Sequence, residues 1–405
     1  MPDSFLVCIE GKSAGVFSQL PDQYADLPVT DYRGRLVIPG LVDLHTHAPQ
    51  FAIRGMGMGL ELFDWLSLHV YPEEAKYRDL AYAHKAYSLF VDHIKRGPNT
   101  RIVAFATAHV PATMILMNLL EESGLVSMTG KVNMDRNSPD DLREESAADS
   151  LCATIEWIEL CVTHKYKNTT PILTPRFIPS CSDELMQGLG ALRREMKLPV
   201  QSHLCENQQE VKWVRELCPA SEGYGAAYRD FDLFGSAPEN SAPTVMAHCV
   251  WSDESEMALM AGRGVFAAHC PQSNANLASG IAPVRQLLNA GVPVGLGSDI
   301  AGGINTSIFR AMSDAIQVSK LRRQAITLEE AFYCGTAAGG TFFGKAGMGF
   351  SGSFEPGYDF DALVINDSAL AAPFDLSLRS RLERAVYLSN SSHIEAKYAR
   401  GRLIV

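Results

Sequence analysis

The chain has no C-x-x-C pair, although it carries nine cysteines among its 405 residues. An odd cysteine count without such pairs argues against zinc fingers and against a small disulfide framework. No stretch approaches the roughly 20 uninterrupted apolar residues of a membrane span. The first twenty residues contain Asp3, Glu10 and Lys12 and lack the apolar centre of a signal peptide. A cytoplasmic location without membrane association is therefore expected. No Lys/Arg cluster interrupts a formal net charge of -11, which opposes binding to nucleic acid or anionic lipid. The glycine-rich stretch 344–357 lacks the G-x-x-x-x-G-K-[ST] order of a phosphate loop and reads as a connection. Neither short repeats nor low-complexity segments are present. What remains is 46% hydrophobic and 20% charged, the make-up of a globular chain with a large buried core.

Short apolar runs alternate with helical stretches from residue 40 to residue 300. The runs are 40–47, 101–108, 126–134, 172–177, 200–203, 244–248, 265–269 and 294–299. Between them lie segments such as 183–197, where Leu185, Leu189, Leu192 and Met196 recur at helical spacing. Strands alternating with helices imply parallel βα units, and eight of them predict an α/β fold of the (β/α)8 TIM-barrel type. A doubly wound sheet is the alternative. The flanks differ, with short alternating strands and Gly/Pro/Asp turns. They predict a small composite β domain from residues 1–39 and 345–405, around a barrel spanning 40–344. The N-terminal flank is short, so that domain is expected to be reduced or incompletely closed.

Four of the runs end in residues that bind metals. His45 and His47 sit two apart on a strand, so their rings share a face. His203, His248 and Asp299 end three later runs, and a barrel gathers such ends at one mouth. Glu206 follows His203 by three residues, where the strand gives way to its loop. Cys205 and Cys249 adjoin these positions, but strand alternation turns Cys249 away from His248.

With those residues in that order, the chain resembles the amidohydrolase superfamily, and more closely the guanine deaminases. The narrower resemblance rests on His45-Thr46-His47-Ala48-Pro49-Gln50, on the segment from Pro175 to Ser182, and on Gln201 to Asn207. His269-Cys270-Pro271-Gln272-Ser273-Asn274 and the segment from Gly297 to Gly303 complete it. The resemblance implies one Zn2+ per chain, with Fe2+ as the alternative, held by His45, His47, His203 and Asp299. His248 would lie beside the activated water. The fourth run has no lysine of the kind that bridges two metals in binuclear relatives, so one ion is expected. The implied reaction is hydrolytic deamination of guanine to xanthine and ammonia. Alternatives are another aminated purine, a pterin, a pyrimidine or a triazine, or a barrel kept as a non-catalytic scaffold. The expected partner is a small-molecule nucleobase, and a homodimer is the implied assembly.

Residue chemistry supports separate roles. Three imidazoles and a carboxylate leave room for a water whose pKa zinc lowers to ~7. Glu206 suits proton shuttling, Asp299 can take the proton of the attacking water, and His248 can stabilise developing charge. The competing reading of Glu206 is a solvated loop carboxylate. Gln50 offers a donor and an acceptor to a lactam edge, and Arg176 offers donors to the guanine oxygen. Phe177 and Trp65 could cover a ring face. The competing readings are core packing for Phe177 and Trp65 and a buried ion pair for Arg176. His269 is expected behind the site, holding Asp299. His69, His84, His93, His109, His164 and His393 are read as structural.

Overall fold

A computed structural model describes residues 3–236 and 242–405. The chain opens with an antiparallel hairpin, β1 (Phe5–Ile9) and β2 (Lys12–Phe17), followed by β3 (Leu36–Pro39). It then enters a parallel sheet: β4 (Leu41–His47), β5 (Asn99–Phe105), β6 (Val126–Gly130) with its continuation β7 (Val132–Asn133), and β8 (Thr169–Pro171) with its continuation β9 (Thr174–Pro175). The second half is β10 (Val200–Leu204), β11 (Thr244–His248), β12 (Phe266–His269) and β13 (Val294–Leu296). Finally β14 (Ala362–Ile365), β15 (Ile394–Ala399) and β16 (Arg402–Leu403) return to β3, giving the antiparallel order β16-β15-β14-β3.

Backbone hydrogen bonds close the parallel strands into a ring. The orders β4-β5-β6-β8 and β10-β11-β12-β13 form two halves. Leu173 and Val200 bridge one junction in parallel, with the Gln201 N–H donating to the Leu173 carbonyl at 2.9 Å. At the other, the Asp299 N–H donates to the His45 carbonyl at 2.8 Å and the His47 N–H to the Ile300 carbonyl at 3.2 Å. Among the described residues this makes eight parallel staves in a closed barrel, as the alternation of runs and helices predicts. Closure excludes the doubly wound sheet, whose edges stay open. Every residue of β4 and β5 is buried, because helices cover the outer face and side chains fill the inside.

Local sequence explains the covering helices. In Leu80–Arg96, the Asp79 carboxylate accepts from the Ala81 and Tyr82 N–H groups, and Ala83, Tyr87, Phe90 and Ile94 bury one stripe. Asp183–Met196 starts at Ser182, whose hydroxyl accepts from the Leu185 N–H. The fourth stave begins earlier than the 172–177 run suggests, because Thr169–Pro171 already pairs with β6. Polar Thr-Thr-Pro carries too little hydrophobic alternation to reveal that pairing.

Residues from both chain ends meet against the barrel. The Arg101 guanidinium, fully buried on β5, pairs with Asp359 at 2.7 Å and Asp361 at 2.6 Å. Removing one partner of such a buried pair costs about 3–5 kcal/mol. Lys397 on β15 donates to the carbonyls of Ile94, Gly97 and Asn99 at 2.9–3.1 Å. Two of those carbonyls lie at the end of Leu80–Arg96, where a helix leaves acceptors unpaired. The hairpin joins the last segment through a Lys12–Asp359 bridge. Among the described residues, no helix is long and apolar enough to cross a membrane.

Candidate active site

The staves turn sharply where they deliver the site. Cys205, His248, Cys249 and Asp299 have φ of +50°, +73°, +52° and +47°. A non-glycine residue there costs on the order of 1–3 kcal/mol and persists only when its surroundings impose it. Here the backbone bonds between staves do so. The Asp299 N–H is tied to His45, and the Cys249 N–H to Leu204 at 2.9 Å.

This geometry gathers the four expected ligands. His45 Nε2 lies 3.2 Å from Asp299 Oδ1, His47 Nε2 lies 3.6 Å from the same oxygen, and His47 Nε2 lies 3.2 Å from His203 Nε2. The edge of a tetrahedron with bonds of 2.0–2.1 Å is about 3.3 Å, so the spacing suits a zinc-sized ion. His45 Nε2 is buried without a hydrogen-bond partner, as a ligand atom would be. Burial holds the imidazoles of His45, His47 and His203 below their ordinary pKa, keeping them neutral and able to ligate. Burial alone would raise the Asp299 carboxyl, but the imidazoles around it, His45 foremost, bring it well below the usual carboxylate range. The ligand atoms of His45, His203 and His248 also lie within 4.8 Å of one another, as do those of His45, Cys270 and Asp299. Burial pushes the Cys270 thiol up, which favours its protonated form and weakens it as a ligand.

A cavity opens beside this cluster. Its walls include His47, His203, His248 and Asp299 together with Glu206, Gln50, Trp65, Arg176 and Phe177. Leu62, Leu66, Glu210 and Leu277 complete the lining. Glu206 is buried rather than solvated, with Oε2 3.4 Å from His248 Nε2 and Oε1 accepting from the Ser279 hydroxyl at 3.4 Å. Burial, followed by the nearby Glu210 and Asp299 charges, raises its carboxyl well above the ordinary value. It can therefore carry a proton at a pH where an exposed glutamate cannot.

The polar wall is already knitted together. Arg176 lines the cavity and is at the same time in a buried ion pair with Glu74, so the ion-pair reading is realised at a position that still faces the cavity. The Gln50 amide donates to Glu74 Oε1 at 2.9 Å and accepts from the Ala301 N–H at 3.2 Å. Trp65 is 2% exposed, donates from its indole to the Met56 carbonyl and still borders the cavity. Phe177 packs edge-on to Trp213.

His269 departs from expectation. It is buried at the end of β12, yet neither ring nitrogen has a hydrogen-bond partner, so it does not hold Asp299. The Asp299 carboxylate faces β4 instead, beside His45 and His47.

Residues 36–403 match the amidohydrolase family. The chain belongs to that family. The guanine deaminase of Dictyostelium discoideum is 36% identical to it over 386 residues, covering 93% of this chain and 84% of that protein. The Escherichia coli guanine deaminase is 33% identical over 392 residues, covering 95% and 86%. The crystal structure of a guanine deaminase from C. acetobutylicum with bound guanine superposes with a TM-score of 0.94 at 46% identity, covering 100% of this chain and 95% of that one.

Three groups in this amidohydrolase site escaped sequence reasoning. Asp43 Oδ1 accepts from the N–H groups of His45 at 3.2 Å and Ser298 at 3.0 Å, tying the first stave to the last. Burial pushes the Asp43 carboxyl up to about 7. Asn274 Oδ1 lies 2.8 Å from His248 Nδ1, and its place in the motif after His269 was the available signal. Glu74 gave no signal, being 102 residues from Arg176.

Proposed function

We propose that this amidohydrolase catalyses the hydrolysis of guanine to xanthine and ammonia. The observation that carries the reading is the convergence, around one cavity, of three imidazoles with the Asp299 carboxylate, the buried Glu206 and the Gln50–Arg176 edge. Resemblance to the guanine-bound structure supports the choice of base. His45, His47, His203 and Asp299 would hold one zinc ion, or iron(II). When bound, such an ion acidifies water toward a pKa of ~7 and makes hydroxide accessible at neutral pH.

The chain's own residues account for the remaining steps. Gln50 and Arg176 receive the lactam edge and O6 of guanine, while Phe177 and Trp65 flank the ring. Addition of water's oxygen at C2 needs a proton on the adjacent ring nitrogen. Glu206 delivers it and regains a proton from the new C2 hydroxyl as that oxygen becomes a carbonyl, while the proton that Asp299 holds passes to the amine, which departs as ammonia as the C2–N bond breaks. Asp299 takes the proton of the attacking water, and His248 hydrogen-bonds the same oxygen. Residues 1–39 and 345–405 are proposed as a composite β domain supporting the barrel of 40–344. The enzyme is proposed to be a cytoplasmic homodimer, which light scattering checks.

The test is a panel of nucleobases, pterins and triazines followed in the ultraviolet, with elemental analysis of the same preparation. Guanine should be consumed rapidly with about one ion per chain. Rapid loss of adenine or cytosine with guanine untouched would replace guanine as substrate and leave the metal chemistry standing.

A further inference from the structure

Behind the cavity wall sits a carboxylate without a role in the reaction above. Glu74 ends the short helix Tyr71–Glu74, outside the barrel, and is 2% exposed. Its Oε1 accepts from Gln50 Nε2 at 2.9 Å and from the second terminal nitrogen of Arg176 at 3.2 Å, and its Oε2 accepts from the first. The Gln50 carbonyl is held from the other side by Ala301, so the amide has one orientation and keeps one N–H free. The Arg176 guanidinium also lies 5.3 Å from the Tyr71 ring centroid, and the Arg176 carbonyl is 2.6 Å from His203 Nδ1. The adjacent Glu73 is engaged elsewhere, with Lys76 and Tyr82.

We propose that Glu74 is a positioning residue that sets the charge selectivity of the pocket. It clamps Gln50 and Arg176 into one rigid hydrogen-bonding edge and cancels the guanidinium charge. The pocket then favours a neutral heterocycle over an anionic one of the same shape. A buried cation without its carboxylate would attract anions instead, because low-dielectric surroundings screen it poorly. This inference rests on the nucleobase reading above and deepens it.

Calorimetric binding of two oxopurines to the metal-loaded enzyme tests it, with hypoxanthine as the neutral probe and urate as the anionic one at neutral pH. In Glu74→Gln the ratio of the two dissociation constants should move about tenfold or more toward urate. Adding Arg176→Gln to that variant should abolish the shift, which loss of packing would not explain. A ratio within about threefold of wild type in folded, metal-replete Glu74→Gln would overturn the proposal. Should that variant not fold, Glu74→Asp decides, since it keeps the charge and shortens the reach. Its KM for guanine should then rise about tenfold with a smaller fall in kcat, and an unchanged KM overturns the clamp. Inactivity of wild type toward guanine would instead overturn the substrate assignment, and the binding ratio would still be read.

Discussion

His248 Nδ1 lies 2.8 Å from Asn274 Oδ1, which directs the other imidazole nitrogen toward Glu206 and Asp299. A carboxamide oxygen can only accept, so Nδ1 carries the hydrogen. Asn274→Ala should free the ring to rotate and lower kcat by roughly 10- to 100-fold, as loss of an orienting partner commonly does. KM for guanine should move less. A raised KM at unchanged kcat would assign Asn274 to substrate binding instead.

Changing His203 to Ala should remove most bound metal along with activity. Its Nε2 is 3.2 Å from that of His47, so the other proposed ligands cannot close the gap without backbone movement. Full metal occupancy in this variant, by elemental analysis, would rule the ligand set out.

Glu206→Gln keeps shape and polarity but cannot transfer a proton. Metal content should persist while turnover falls by roughly 10²-fold or more. A near-normal kcat would pass the proton-carrying role to another group.

Arg176→Met should act on stability as well as on guanine. It leaves Glu74 buried and unpaired, which costs about 3–5 kcal/mol by the general behaviour of broken buried pairs. Guanine turnover should fall by about 2 kcal/mol or more in transition-state terms, and denaturant titration should show the stability loss separately. Unaltered stability would show that the Arg176–Glu74 pair does not hold the fold together.

Lys397 predicts a pH dependence unrelated to catalysis. Burial, with Lys95 nearby, lowers its ammonium to a pKa of about 7 in the folded chain. The unfolded chain retains a lysine pKa near ~10.4 and so binds more protons between those values. The contribution of Lys397 to stability should therefore decline as pH falls from about 10 to about 7 and stay constant below. The difference in Tm between wild type and Lys397→Met across that range measures it. A flat difference would show that its three carbonyl partners keep the ammonium at its ordinary pKa.

The sequence by itself determined the repeated βα pattern and the positions where staves end in His45, His47, His203, His248 and Asp299. Those are local properties, since strand periodicity and a ligand at a strand terminus are written within a few residues. It also marked Gln50, Arg176 and Phe177, through short contiguous motifs. Only the tertiary structure decided how these groups are held. Glu74 meets Arg176 across 102 residues, and Arg101 meets Asp361 across 260. His269 has no hydrogen-bond partner on either ring nitrogen, while the carboxylate it was expected to hold lies against His45. Side-chain partners of this kind depend on where whole elements pack, and no local periodicity encodes that.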